Sequence, residues 1–251
     1  MRTPLVLLTL IVATAILGPV VVVAKLFRVK ERRGSVYEWA MRTWAKSLNA
    51  AAGVRIHVHG AEHLHGDAGA VYIANHVSWF DIFALASVVP RCTFIAKSEL
   101  RKIPVFGWAA ESAGIVFIDR ENRKSAFESY KGATTQIQRG RSVVVCPEGT
   151  RGYDYHLRPF KKGPFVLAIA AHAPIVPTVV YGAKEVMGKG SFRVRANDVE
   201  LHFLPPVSTV DCDYDHRGEL MQMVWRQIAD TLRDRFGVGT SEAPIAKERA
   251  G

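Results

Sequence analysis

The stretch Val71-Tyr72-Ile73-Ala74-Asn75-His76-Val77-Ser78-Trp79-Phe80-Asp81 decides how this chain is read. Its first four residues form a short apolar run suited to a buried strand. The seven that follow carry a histidine and a carboxylate five positions apart. In α/β domains the loop leaving a strand is a common place for a site. Residues five apart in a regular helix lie ~140° apart around its axis. His76 and Asp81 can meet if His76 sits in the loop and Asp81 in the first turn of the next helix. A carboxylate there can bind one imidazole nitrogen and fix the tautomer, leaving the other free to take a proton from a hydroxyl. The same letters also fit a helix start, with Ser78 as N-cap and Asp81 as the acid of a capping box. Both readings can hold together.

Further short apolar runs lie at 114–118, 142–146, 175–181, 192–196 and 200–204. Segments of helical length separate most of the early ones: 125–139, and 165–172 behind Gly163-Pro164, with proline near the first turn where helices tolerate it. Alternating strands and helices predict an α/β domain whose central sheet is largely parallel or mixed and is flanked by helices. On the amino-terminal side, Val54, Ile56 and Val58 alternate with Arg55, His57 and His59 as in a half-exposed strand. His57, His59, His63 and His65 have no thiolate or carboxylate pattern that completes a metal site, despite nearby Glu62 and Asp67, and they read as solvated. Earlier still, Tyr37, Met41, Trp44 and Leu48 recur at helical spacing up to a stop at Gly53. At the other end, Leu220, Val224, Ile228, Leu232 and Phe236 form one stripe, stopped by Gly237.

No side chain from residue 4 to residue 24 is charged, and almost every one is apolar; that is 21 residues, and a bilayer-spanning helix needs ~20. A signal peptide has a shorter apolar core, of ~7–15 residues. Here Lys25, Arg28, Lys30, Arg32 and Arg33 follow directly, which favours a retained anchor with the domain on the cytoplasmic side of the cell membrane. Gly18-Pro19 could break the segment into two pieces. The expected organisation is an anchor and basic linker over 1–33, an amphipathic helix over 34–53 packing on the domain or the membrane, a catalytic domain over 54–237 and a loose tail over 238–251.

The 251 residues, 49% hydrophobic and 22% charged, suit a globular domain and exclude a largely disordered chain. The net charge of +10 favours anionic partners without choosing among them. No helix-turn-helix, zinc finger or RNP-like segment points to nucleic acid. Cys92, Cys146 and Cys212 are too scattered for a disulfide framework or a zinc site.

Two more segments could carry chemistry. Cys146-Pro147-Glu148-Gly149-Thr150-Arg151 leaves a strand through a tight turn. Arg151 presents a fork of donors suited to phosphate, and Glu148 could receive a substrate hydroxyl or hold a backbone loop. Arg158, Lys161 and Lys162 extend the cationic surface. At the end of the run 114–118, Arg120 could bind phosphate or pair with Asp119 or Glu121. A serine hydrolase built on Ser78 lacks the GxSxG elbow, and residues 76 and 78 are awkward for a nucleophile–base contact.

Together these segments resemble the glycerolipid acyltransferase family that includes the 1-acylglycerol-3-phosphate acyltransferases. Asn75 to Asp81 matches its NHxxxxD block, Gly114 to Arg120 its GxxFIDR block, Pro147 to Arg151 its PEGTR block, and Ile175-Val176-Pro177 its short fourth block. All four stand in the family's order; Cys146 occupies a position where the family often has Phe. The resemblance implies that His76 is the general base and Asp81 orients it. It implies that Arg120, Glu148, Gly149, Thr150 and Arg151 hold the acceptor's phosphate, that Lys97 lies beside the acceptor, and that Pro177 shapes the acyl-binding wall. The implied reaction moves a fatty acyl group from a thioester donor, acyl-CoA or acyl carrier protein, to the sn-2 hydroxyl of 1-acylglycerol-3-phosphate, with no metal or other cofactor. The implied partners are that donor, a lysophospholipid acceptor and the membrane, not nucleic acid. Another lysolipid such as a lyso-ornithine lipid, or a non-catalytic membrane-binding role, are the alternatives.

Overall fold

The computed structural model describes residues 1–119 and 123–239. Seven strands form one sheet: β1 (Arg55–His59), β2 (Val71–Ala74), β3 (Cys92–Lys97), β4 (Val116–Ile118), β5 (Ser142–Val145), β6 (Ile175–Tyr181) and β7 (Asp198–Phe203). Their spatial order is β1-β7-β6-β2-β5-β3-β4. Every pairing is parallel except β6 with β7. The fold is therefore α/β with a mixed sheet, because β7 and its neighbour β1 run against the other five strands.

Strands β2 and β5 are buried at every residue, as parallel strands covered on both faces must be. One face packs on α2 (Val36–Ala52) and α3 (Trp79–Val88), the other on α5 (Arg123–Gln138), α6 (Gly163–Ala171) and α8 (Arg217–Phe236). The stripes and glycine stops read from the sequence close α2 and α8: Gly53 (φ 70°) and Gly237 (φ 65°) take the left-handed conformation at their C-termini. Short α4 (Phe106–Ser112) and α7 (Ala183–Val186) complete the set.

The apolar amino terminus is a single helix, α1 (Thr3–Leu26), continuous through Gly18-Pro19. The break that this dipeptide could have caused is absent because packing overrides it. Leu17, Val21 and Ala24 sit against Tyr37 and Ala40 of α2 and against Ala113. A Cβ on Gly18 would come within 3.3 Å of Ala109 Cβ, so the missing side chain lets α4 approach closely. The first turn is tethered as well: Arg2 N donates to Val194 O at 3.1 Å, and Thr3 Oγ1 donates to Phe192 O at 2.9 Å. These contacts also explain why 192–196 is not a strand: it runs over the start of α1, with Phe192 exposed. The outer face of α1 remains exposed and apolar (Leu5, Leu8, Ile11, Ile16, Val23).

Candidate active site

Strands β2 and β5 are neighbours, with Ile73 beside Val145. The two chemistry-bearing loops therefore leave the same edge of the sheet side by side. Asn75, the first residue past β2, is buried and clamps the loop to β6: its Nδ2 donates to Val180 O at 2.9 Å and its Oδ1 accepts from Val180 N at 2.8 Å. Ser78 caps α3, its Oγ accepting from Phe80 N at 3.1 Å, and Asp81 falls in the first turn as the partner acid of a capping box.

Asp81 is fully buried. Its Oδ2 accepts from Val77 N at 2.7 Å and Ser78 N at 2.8 Å, and lies 2.8 Å from His76 Nδ1. The capping arrangement and the His–Asp pair thus share one carboxylate oxygen. Three donors on Oδ2 offset the cost of burying the charge, while Oδ1 is buried without a hydrogen-bond partner among the described residues. With Nδ1–H directed at Asp81, Nε2 is the nitrogen left to accept a proton. Burial favours the neutral ring, but the sulfur of Cys146 and the carboxylate of Asp81 outweigh it and raise the His76 pKa to about 10.

Glu148 ties the second loop to the first. Its Oε1 accepts from His76 N at 2.7 Å, and its Oε2 accepts from Arg158 Nε at 3.0 Å. Gly152 N adds a bond to His76 O at 2.7 Å. Of the two uses open to Glu148 in the sequence, the geometry fits backbone support. Burial raises its pKa, and Arg158 and the His76 amide oppose that shift. Gly149 turns the loop at φ 78°, and a Cβ there would lie 2.7 Å from Lys161 Cε. The Thr150 carbonyl accepts from Arg158. Arg151 lies with Cζ 5.2 Å from the Trp79 ring centroid and makes no ion pair among the described residues. Partial burial lowers its pKa against the field of Asp81, yet a guanidinium remains a cation.

Lys97, at the end of β3, donates to Glu99 Oε1 at 2.9 Å on the surface. Its register partner is Ile118 at the end of β4. Arg120 and the tail from residue 240 lie outside the described residues. Ser78 is fully buried, and its hydroxyl donates to Met187 O at 2.7 Å, which removes it as a nucleophile. The positions of Asn75, Trp79 and Gly152 were not assigned from sequence; for Asn75 the signal was its place between strand end and histidine. Arg158 was read as surface charge, and nothing in the sequence marks it as the partner of Glu148. Among the described residues, the one trio of metal-ligating side chains close enough to share an ion lies away from His76, at the β1 edge.

A family profile described as Acyltransferase matches residues 55–181. The chain is 37% identical over 174 residues to the 1-acyl-sn-glycerol-3-phosphate acyltransferase of Limnanthes alba, covering 68% of this chain and 61% of that protein. It is 36% identical over 168 residues to the enzyme of that name from Saccharomyces cerevisiae, covering 65% and 55%. It is 36% identical over 201 residues to 1-acyl-sn-glycerol-3-phosphate acyltransferase alpha of Homo sapiens, covering 79% and 71%. The match thus spans less than two thirds of the length of the plant and yeast relatives. The crystal structure of the 1-acyl-sn-glycerophosphate acyltransferase of Thermotoga maritima superposes with a TM-score of 0.70 at 26% identity, over 94% of this chain and 99% of that one. With the profile spanning the sheet from β1 to β6 and both chemistry-bearing loops, the chain belongs to the acyltransferase family.

Proposed function

We propose that the protein transfers a fatty acyl group from acyl-CoA or acyl carrier protein to the sn-2 hydroxyl of 1-acylglycerol-3-phosphate, giving phosphatidate. The observation that carries this reading is the His76–Asp81 pair, held by Glu148 from the neighbouring loop. His76 Nε2 takes the proton of the acceptor hydroxyl as its oxygen attacks the thioester carbonyl, and the thiol leaves with that proton. Asp81 fixes the tautomer and steadies the imidazolium. General base catalysis is typically worth ~10²–10⁴-fold, so positioning and oxyanion stabilisation supply the rest. The amides of Val77 and Ser78 already serve Asp81, so the oxyanion donors are other groups.

Arg151, lying over the Trp79 ring and without a carboxylate ion-pair partner among the described residues, supports an anionic acceptor headgroup. In this reading Arg120, Gly149 and Thr150 complete the phosphate site, Glu148 supports it through the loop, and Lys97 attracts the acceptor from the rim. Residues 54–237 are the catalytic unit. Residues 1–33 and the helix over 34–53 hold it on the cell membrane, with the domain on the cytoplasmic side. The exposed apolar face of α1, flanked by exposed Trp39 and Trp108, supports membrane attachment. Because both halves of α1 pack on the domain, it lies along the protein, as suits insertion into one leaflet.

The test is an acceptor panel in mixed micelles with a labelled thioester. Phosphatidate formed from lysophosphatidate, with an Arg151→Ala variant losing ~10-fold or more in kcat/KM for that acceptor, is the expected result. Transfer to a lyso-ornithine lipid but not to lysophosphatidate would replace the substrate and keep the mechanism. No transfer to any lysolipid by folded protein would remove the enzymatic reading.

A further inference from the structure

The outer edge of the sheet carries a second set of histidines and carboxylates. Strand β1 pairs in parallel with β7, placing Arg55, His57 and His59 beside Asp198, Glu200 and His202 on one face. The rings of His59 and His202 stack with centroids 4.2 Å apart and planes inclined by 8°. Their Nε2 atoms converge on a single carboxylate oxygen: Glu200 Oε2 lies 3.0 Å from His202 Nε2 and 3.5 Å from His59 Nε2. All three ligand atoms lie within 4.8 Å of one another. His202 is 3% exposed and backed edge-on by Phe236 of α8, whereas His59 opens to solvent.

We propose that His59, Glu200 and His202 form a binding site for a transition-metal dication of the zinc class. Two imidazole nitrogens and one carboxylate are a donor set suited to zinc, with a fourth position open to water. Ligands of a tetrahedral ion with ~2.0–2.2 Å bonds lie ~3.3–3.6 Å apart, close to the 3.0 and 3.5 Å spacings to Glu200 Oε2; the exposed His59 ring must turn out of its stack on His202 so that both Nε2 lone pairs face the ion. A backing aromatic ring on one imidazole and a fixed strand register restrict the site before the ion arrives. Bound there, the ion joins β1, which among the described residues has β7 as its only strand neighbour, to the rest of the sheet. The site stands apart from His76: β7 and β6 both lie between β1 and β2.

The experiment is equilibrium binding of Zn²⁺ to the full chain in chelator-free detergent, with thermal unfolding measured in parallel. One Zn²⁺ per chain is expected, with Tm raised by roughly 5–10 °C at a hundredfold excess over Kd. His59→Gln and Glu200→Gln each alter a side chain at least partly open to solvent, so both variants should fold. Each is expected to weaken binding by more than the roughly 10–100-fold that loss of an outer-shell partner costs, and to abolish the Tm shift. A His63→Gln/His65→Gln double variant is expected to bind as the unaltered chain does. Absence of stoichiometric binding overturns the proposal. So does binding that survives both His59→Gln and Glu200→Gln, or binding that is lost only in the double variant.

Discussion

Two regions of this molecule use the same side chains and differ in almost everything else. At the loop after β2, His76 meets Asp81; along β1 and β7, His57 meets Asp198 at 3.3 Å and His59 meets Glu200. The Asp81 carboxylate has no solvent exposure and receives two backbone amides besides the imidazole, whereas Asp198 is 44% exposed in its side chain and shares its charge with Arg55. The His76 loop is fixed through Asn75, Glu148 and Gly152. His57 is held by its strand and by one exposed contact with Asp198. A histidine–carboxylate contact becomes a candidate base when burial and multiple tethers remove its freedom. The same contact in water is worth ~1 kcal/mol or less.

The comparison can be broken most sharply at Asp81. Asp81→Asn keeps the shape but replaces a charge that accepts three donors, and it can present its amide nitrogen to them. Its kcat is expected to fall by at least ~10²-fold, and stability by ~3–5 kcal/mol as for a disrupted buried ion pair; single-turnover assays and denaturant titration measure the two. Glu148→Gln retains an acceptor for the His76 amide but loses the charge facing Arg158, so a loss of ~1–3 kcal/mol in stability and a smaller fall in kcat than for Asp81→Asn are expected from the same assays.

Cys146→Ala sharpens the electrostatic side. His76 acts as a base only when neutral, and its raised pKa means that kcat/KM climbs with pH until the ring loses its proton. Removing the sulfur that helps raise that pKa moves the acidic limb of the pH–rate profile to lower pH. A limb that stays in place would show that the sulfur does not influence the base. At the small end, His57→Gln on the outer ladder is expected to change stability by no more than ~0.5 kcal/mol and to leave kcat/KM unaltered.

The sequence made the candidate site legible because its information is local. Strand, loop, N-cap and acid stand within eleven residues from Val71 to Asp81, and their spacing allows a His–Asp contact with His76 in the loop and Asp81 in the first helical turn. Glycine stops and apolar stripes marked α2 and α8 for the same reason. What escaped depended on distant partners. Strand β3 mixes Thr93 and Lys97 with apolar residues in a stretch without alternation, and its identity comes from pairing with β4 and β5. The run 192–196 looked like a strand, but contact with the start of α1 redirects it. Continuity of α1 through Pro19 depends on α2 and α4. The carboxylate facing His59 is 141 positions away in the chain, at Glu200, and only the register of β1 on β7 reveals it.

The most direct measurement is acyl transfer from a labelled thioester to lysophosphatidate by His76→Ala and His57→Ala, each verified as folded by thermal unfolding and compared with the unaltered chain. A loss of ~10²–10⁴-fold or more for His76→Ala, with His57→Ala unchanged, is the expected result. Transfer that survives His76→Ala, or falls equally in both variants, would contradict the assignment of His76 as the base.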